Sequence, residues 1–441
     1  LAAANPALRL GGPGGQGNLN DLTKAFLAHC DTGTNYFTKQ KGVRLDFISF
    51  HEKGAPCCVE DIDPDTRGIC DREIRFIEYV RQNHPRLARI PMMNNECDPQ
   101  IGWDHKHTWH GTAYYPALTA KIINQHQVRI IDGLACDYRL LSNDNGFTGG
   151  WGQRTLLTRF GSPNNLAQGH FSFVKKPIFH LMVLLSKLGD SRLQVAGEGD
   201  ADSPLGILAT RRGSSQIVIL LYNSRDTIRA DGCDRVCLDL VGVPFSRAVL
   251  AHYRIDADHT NPFAAYVKRG PRPDCRPHDL AAVRAAQELD YLVPVRETAI
   301  SDGKLSLEFE LPLPGVSAIV LSASTGEIPA RVEGVRVHHY PGCVHSDKTY
   351  EATYRESSAA LDEGETEEVL ILWNDMDSYT LMTYEVLASE SREGPFIRIN
   401  DRDILNAAFL EVRPVSSAAR FYKVRAMDFW GRRGEESEVT P

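Results

Sequence analysis

The chain has 441 residues, 42% of them apolar and 24% charged, the balance of an ordinary globular protein at a length that suits about three domains. No apolar run is long enough to cross a bilayer as a helix, and the ten cysteines lack a paired C-x2-C framework, so disulfides are permitted but not required. Net charge is −8 with the fifteen histidines neutral; protonating all of them would reverse its sign, which suits an anionic substrate in an acidic compartment.

The first residues, LAAANPALRLGGPGG, carry neither an initiator methionine nor the layout of a signal peptide. Leu1 to Ala4 read as the tail of a helix, Asn5-Pro6 as a turn, Ala7 to Leu10 as a short strand and Gly11 to Gly15 as a loop. A chain that opens within a helix is expected to be a fragment, so its start says nothing about localisation.

A helix is predicted in NDLTKAFLAHC, then a strand over Val43–His51, rich in β-branched and aromatic residues. GAPCCVEDIDPDTRGIC reads as a polar loop. DREIRFIEYVRQNHP spaces Ile74, Ile77 and Val80 as a helix and ends at a proline. The run RIPMM predicts a buried strand, and Asn94-Asn95-Glu96 stand where it leaves the core. TAYYPALTAKIINQH reads as a helix, VRIIDGLACDYRLLSND as strand and loop, and FSFVKKPIFHLMVLLSKLG as a last helix with a broad apolar face. This regular alternation argues for about four parallel β/α units.

From about Asp190 the apolar period becomes two. GILATRRGSSQIVILLYNS, RVCLDLVGV, AVLAHYRID and LSLEFELPLPGVSAIVLSAS read as strands of an antiparallel sandwich, with a helical insertion at HDLAAVRAAQELDYL. A boundary near Ser324-Thr325-Gly326 precedes EVLILWND, LMTYEVLAS and RFYKVRAMDFWG; Tyr422 to Ala426, with Trp373 upstream, suit a fibronectin type III-like sandwich. The expected domains are 1–188, 189–324 and 325–441.

Four polar residues fall at predicted strand ends: Lys53, Glu96, Asp144 and Arg154. In a parallel β/α barrel all carboxyl ends face one mouth, so a carboxylate nucleophile, two cations and a second carboxylate would converge there. Taken singly, each has a plain reading: Lys53 as a solvated lysine, Arg154 as an ion-pair former, Asp144 as a turn residue and Glu96 as a capping acid. Trp103 is either core packing or a sugar-stacking platform. His105, His107 and His110 have metal-like spacing, and VEDIDPDTRG is acidic but lacks the glycine and last glutamate of a calcium loop. No metal or cofactor is expected.

PALRLGGPGG, GVRLDFISFHEKGA, NNECDPQIGW, LLSNDNGF and QRTLLTRF, in this order, resemble consecutive motifs of the α-L-iduronidases of glycoside hydrolase family 39, and TYEV and YKVRAMDFWGR extend the likeness to the last domain. The resemblance implies the C-terminal half of a (β/α)8 TIM barrel, about strands 5 to 8, followed by the two β-sandwiches. It implies a retaining glycosidase with Glu96 as nucleophile. Lys53 and the backbone N–H groups of Gly102 and Trp103 would hold a uronate carboxylate, and Asp144 and Arg154 would grip hydroxyls or the same carboxylate. The implied substrate is terminal α-L-iduronate of dermatan and heparan sulfate, the implied compartment the lysosome; nucleic acid is not an expected partner.

The chain departs from the family at one point: the Asn-Glu-Pro that carries the acid/base glutamate is missing, and Asn95-Glu96 is followed by Cys97. The expectation is that the chain alone is inactive. Two alternatives stay open: a β-xylosidase-like relative, against which the cations Lys53 and Arg154 count, and a non-catalytic glycan-binding short form.

Overall fold

The structure, a computed structural model, describes residues 5, 7–16, 19–55, 62–101, 106–142, 146–160, 172–197, 203–270, 281–340, 366–376, 380–414 and 416–441. Its first part alternates β1 (Gly11–Gln16), α1 (Asp21–Thr32), β2 (Phe47–His51), α2 (Thr66–Asn83), β3 (Met92–Asn94), α3 (Tyr114–Gln125) and β4 (Tyr138–Leu141). The four strands lie side by side in chain order, all parallel. Ile48 and Phe50 of β2 and Met92 of β3 pack against Leu27 and Cys30 of α1 and Phe76, Ile77 and Val80 of α2.

Local chemistry explains the helix starts. Asn20 accepts the Thr23 N–H at 2.8 Å and begins α1; Asp65 accepts the Gly68 N–H at 2.8 Å and begins α2. The apolar face of α2 is spaced Ile69, Phe76, Ile77, Val80, with Glu73 buried among them.

Five elements of the first part differ from the sequence reading. The first strand is not Ala7–Leu10 but the glycine-rich Gly11–Gln16, paired with Phe47–His51. A Cβ at Gly11 would lie 2.1 Å from the Phe47 ring, so glycine here lets two strands approach rather than marking a loop. The strand predicted from Val43 begins at Phe47. Thr66 to Cys70, read as loop, form the first turn of α2 because Asp65 caps it. Val128 to Asp132 continue α3 as a wider helical turn, and Ser172–Lys175 form a strand ahead of the helix Pro177–Ser186.

After β4 come β5 (Gly146–Gly149), β6 (Thr155–Phe160) and β7 (Ser172–Lys175), a three-stranded sheet, then α4 (Pro177–Ser186). A six-stranded sheet follows, with spatial order 290–299, 247–255, 315–322, 216–223, 205–212, 191–192, and a two-stranded antiparallel sheet of 233–241 and 304–312. The strand Gln216–Asn223 is buried at every residue. Val218, Leu220 and Tyr222 enter a core shared with α3 and α4, while Ile217, Ile219 and Leu221 face the two-stranded sheet. A strand covered on both faces reads as a continuous apolar run, as this one does.

α3 is buried around nearly its whole circumference because it lies between α2 on one side and the six-stranded sheet on the other. Full burial of Tyr115, Leu118 and Ile122 stabilises the junction by about 1.5–3 kcal/mol each. Its polar residues find partners across the junction: Lys121 meets Asp226 at 3.1 Å and Asn124 donates to the Tyr222 hydroxyl at 3.0 Å.

Two three-stranded sheets make up the last part, 336–340 with 366–372 and 408–414, and 397–398 with 381–389 and 421–428. Trp373, Tyr384, Tyr422 and Val424 form its core. It is tied to the preceding sheet by Trp430 Nε1 donating to the Ser322 carbonyl at 3.1 Å and Tyr291 donating to Asp403 at 2.8 Å.

Candidate active site

Four acids lie near the carboxyl ends of β2 and β3: Glu52, Glu96 and Asp98 from the segments that follow these strands, and Glu73 from α2. Three are enclosed and engaged. Glu52 accepts from the Arg72 guanidinium, which also donates to the Lys53 carbonyl. Glu73 accepts from Asn94, His126 and Tyr138. Asp98 accepts the Tyr115 hydroxyl at 2.7 Å and Arg154 Nη1 at 3.1 Å. Glu96 differs: 36% of its side chain is open to solvent, against 8% for Glu52 and none for Glu73 or Asp98.

Glu96 follows β3 because Asn95 N–H still bonds the Phe50 carbonyl at 3.2 Å while Asn94, wholly buried, accepts the Glu96 N–H at 3.2 Å. The main chain is thus anchored on both sides of a carboxylate that points out. Two cationic or polar groups from the end of β2 meet its Oε2: Lys53 Nζ at 2.8 Å and His51 Nδ1 at 3.2 Å. His51 and Lys53 are two residues apart, the period that puts both on one side of an extended chain. That spacing was the available sign for His51, which sequence reasoning passed over.

Of the residues singled out in the sequence, Lys53 and Glu96 are in direct contact. Arg154 is buried and goes to Asp98 and, at 3.3 Å, to the Gln100 carbonyl, two residues ahead of Gly102. Gly102, Trp103 and Asp144 lie outside the described residues. The turn that carries Arg154 is itself held by a buried ammonium: Lys176 Nζ donates to the Gly150, Trp151 and Gln153 carbonyls at 2.7, 3.2 and 2.9 Å and to Thr155 Oγ1 at 2.8 Å. Burial pulls the Lys176 pKa well below the usual lysine value. A lysine next to Lys175 in a basic pair gave no hint of this.

His107 and His110 pack into an aromatic cluster with Trp109 and Tyr115, and His110 Nδ1 is 2.9 Å from the Gly152 carbonyl; His105 lies outside the described residues. Asp63 and Asp65 of the acidic loop are used as hydrogen-bond acceptors, for Ile228 N–H and for the start of α2. Glu73, Cys97 and His126 bring an oxygen, a sulfur and a nitrogen within 4.8 Å of one another. Glu73 and His126 are hydrogen-bonded to each other and to Asn94, Tyr138 and the Ile122 carbonyl.

A solvent-open carboxylate beside a lysine, on a rigid strand end, suits attack on a carbon that bears an anionic neighbour. Comparison with known proteins identifies the family. Residues 1–298 match the model of glycosyl hydrolases family 39, and 361–441 match the alpha-L-iduronidase C-terminal domain. The chain is 29% identical to the alpha-L-iduronidase of Homo sapiens over 465 residues, covering 100% of this chain and 66% of that one. It is 30% identical to the enzyme of the same name from Canis lupus familiaris over 461 residues, covering 98% and 64%. The chain therefore spans about two thirds of the length of these relatives. The solved structure of the bacterial orthologue of human α-L-iduronidase superposes with a TM-score of 0.86 at 34% identity, over 98% of this chain and 70% of that chain. A monomeric β-xylosidase from Caulobacter crescentus CB15 shares the fold, with a TM-score of 0.54 at 18% identity over 73% and 62% of the two chains.

Proposed function

The chain belongs to glycosyl hydrolases family 39, and we propose that it is the nucleophile-bearing portion of a retaining α-L-iduronidase. The observation that carries this reading is the contrast among the four clustered acids: Glu96 is the open one, and a lysine lies 2.8 Å from it. In a retaining glycosidase a carboxylate attacks the anomeric carbon and forms a glycosyl ester, which water then hydrolyses. Glu96 is the attacking group. Lys53 turns from Glu96 to the uronate carboxylate as substrate enters, helped by the N–H groups of Gly102 and Trp103. Asp144 holds sugar hydroxyls or the same carboxylate, while Arg154, buried on Asp98 and the Gln100 carbonyl, serves from behind by fixing the segment that leads to Gly102 and Trp103 rather than by gripping the sugar itself. The paired cation is what favours a uronate over xylose, which has no carboxylate to hold.

The parallel order of β1 to β4, with a helix after each of the first three, supports reading them as strands 5 to 8 of a (β/α)8 barrel. On that reading the domains are 1–188, an antiparallel sandwich over 189–324 and a fibronectin type III-like sandwich over 325–441. The substrates are the iduronate-ended chains of dermatan and heparan sulfate, in a lysosomal-type acidic compartment.

Protonation of the leaving group is a separate task. Glu52 and Asp98 are each bound to a guanidinium and enclosed, poor settings for a proton donor. Among the described residues neither of these acids suits that task, so a substrate whose leaving group departs unaided isolates the Glu96 step for a test. The test is covalent trapping. The protein is incubated with an α-L-iduronosyl fluoride bearing a second fluorine at C5, digested and analysed by mass spectrometry. The expected result is one sugar adduct on the peptide containing Glu96, absent in Glu96→Gln. Labelling at another carboxylate, or equal labelling by a xylosyl fluoride, overturns the reading.

A further inference from the structure

Directly behind Glu96 lies a buried polar network that the reaction itself does not use. Asn94, the last residue of β3, spends all four of its hydrogen-bonding positions there. Its Nδ2 donates to the Glu52 carbonyl at 2.9 Å and to Glu73 Oε1 at 2.8 Å; its Oδ1 accepts the N–H groups of Glu52 and Glu96, both at 3.2 Å. A carboxylate only accepts, so Glu73 dictates which end of the amide faces α2 and which faces the two backbone N–H groups.

Glu73 is fixed in turn. Its Oε2 accepts the Tyr138 hydroxyl from β4 at 2.7 Å, and its Oε1 lies 3.2 Å from His126 Nε2. His126 Nδ1 is 2.7 Å from the Ile122 carbonyl, which obliges that nitrogen to donate. Both ring nitrogens then donate, which only the imidazolium does. Burial, the largest single influence, would lower the His126 pKa, but the facing Glu73 charge, Cys70 and the hydrogen bonds to both together outweigh it, and the value stands well above the ordinary 6.5. The groups that face the pair are Cys70 from α2, Cys97 and Asn94 from the end of β3, and Tyr138 from β4.

A buried ion pair is a poor way to gain stability, since an apolar pair of similar volume serves as well or better. What this one does supply is direction. It takes a contact between two helices, α2 and the end of α3, and passes it through one amide to the main chain of Glu96. We propose that Glu73, His126 and Asn94 are positioning residues that set the place of the Glu96 carboxylate for attack. This inference rests on the reading of Glu96 as nucleophile.

Three variants test it: Asn94→Asp, the isosteric Glu73→Gln, and the two together. Asn94→Asp sets two carboxylates face to face and removes the donor to Glu52. The double variant restores a donor on residue 73 and a carboxylate on residue 94. Each is measured for the rate and the half-saturation of Glu96 labelling by the fluoride, for melting temperature, and for hydrogen exchange at the Glu52 and Glu96 amides. Asn94→Asp is expected to slow labelling about 10²-fold, as a misplaced reactive group does, with half-saturation little changed. Its Glu52 and Glu96 amides are expected to exchange faster than in wild type. The double variant is expected to regain a large part of the rate and of the protection. Wild-type labelling in Asn94→Asp, or a double variant no better than the single one, overturns the proposal. If the wild type is not labelled at Glu96, the nucleophile reading fails and a role in attack falls with it; the amides tell this failure apart from that of the network itself, since unchanged protection in Asn94→Asp shows that Asn94 does not hold the Glu96 main chain at all. Should Asn94→Asp not fold, Glu73→Gln is judged by the same amide criterion.

Discussion

Lys53 Nζ lies 2.8 Å from Glu96 Oε2, so the proposed nucleophile and the cation proposed for the substrate's carboxylate are in contact before any sugar is bound. Lys53 therefore has to share its charge between the two anions. Replacing it by alanine removes a charge-assisted contact, which corresponds to roughly 1.5–3 kcal/mol. The expected outcome for Lys53→Ala is a fall of about 10- to 100-fold in the second-order rate of labelling by an iduronosyl fluoride. A smaller fall is expected with a xylosyl analogue. Equal losses on both would show that Lys53 serves Glu96 alone.

Asp98 and Arg154 form an ion pair with 0% and 2% of their side chains exposed, and Tyr115 completes it. Removing one partner leaves a buried uncompensated charge. Asp98→Ala is expected to destabilise the fold by about 3–5 kcal/mol, read from urea unfolding. The double change Asp98→Ala with Arg154→Met is expected to cost less than the sum of the single changes, because the two act through one contact. Additive losses would mean that the pair is not coupled.

Histidines of two kinds contribute to the pH dependence of stability. Burial holds His110 well below its ordinary 6.5, His180 at about 4 and His252 at about 3. The unfolded chain takes up these protons as pH drops below 6.5 and the folded chain does not, so stability falls with acidification, by about 1.4 kcal/mol per pH unit for each neutral histidine. His126 runs the other way: its value is raised, so its contribution is complete below 6.5 and fades as pH climbs through the raised folded value. Urea midpoints are expected to drop between pH 7 and 4.5. His252→Gln, which keeps a hydrogen-bonding group for Ser317 Oγ at the 3.0 Å contact, is expected to flatten that acid limb. An acid limb of unchanged slope in the variant would refute the assignment.

Asp226 joins three elements: it accepts Thr66 N–H at 2.8 Å and Thr66 Oγ1 at 2.9 Å at the start of α2, and Lys121 Nζ at 3.1 Å on α3. It comes from the loop that follows the strand Gln216–Asn223. Asp226→Ala is expected to cost about 1.5–3 kcal/mol, the range for hydrogen bonds to a charged group. Faster hydrogen exchange should be confined to the first turn of α2. A melting temperature equal to that of the wild type would remove this loop as a clamp.

Much of the site was legible because it lies where periodic patterns end. The apolar run Ile90 to Met93 stops at Asn94, and the run ending at Phe50 stops before Lys53; polar residues at such points face a shared rim in parallel sheets. The strand Gly11–Gln16 was not legible, since glycine and proline carry no strand pattern and its pairing depends on the Phe47 ring lying across it. Arg154 was recognised as a residue of interest, but its partner Asp98 is 56 positions away and nothing local ties them.

The sequence by itself determined the alternation of strand and helix, the change to period two near Asp190, and the strand-end positions of Lys53 and Glu96, because these follow from side-chain spacing over a few residues. Only the tertiary structure decided which of the clustered acids stays open. Glu52, Glu73 and Asp98 are silenced by Arg72, His126 and Arg154, partners brought from other elements. A carboxylate's character is set by burial and by the charge that faces it, and both are properties of packing, not of neighbouring letters in the chain.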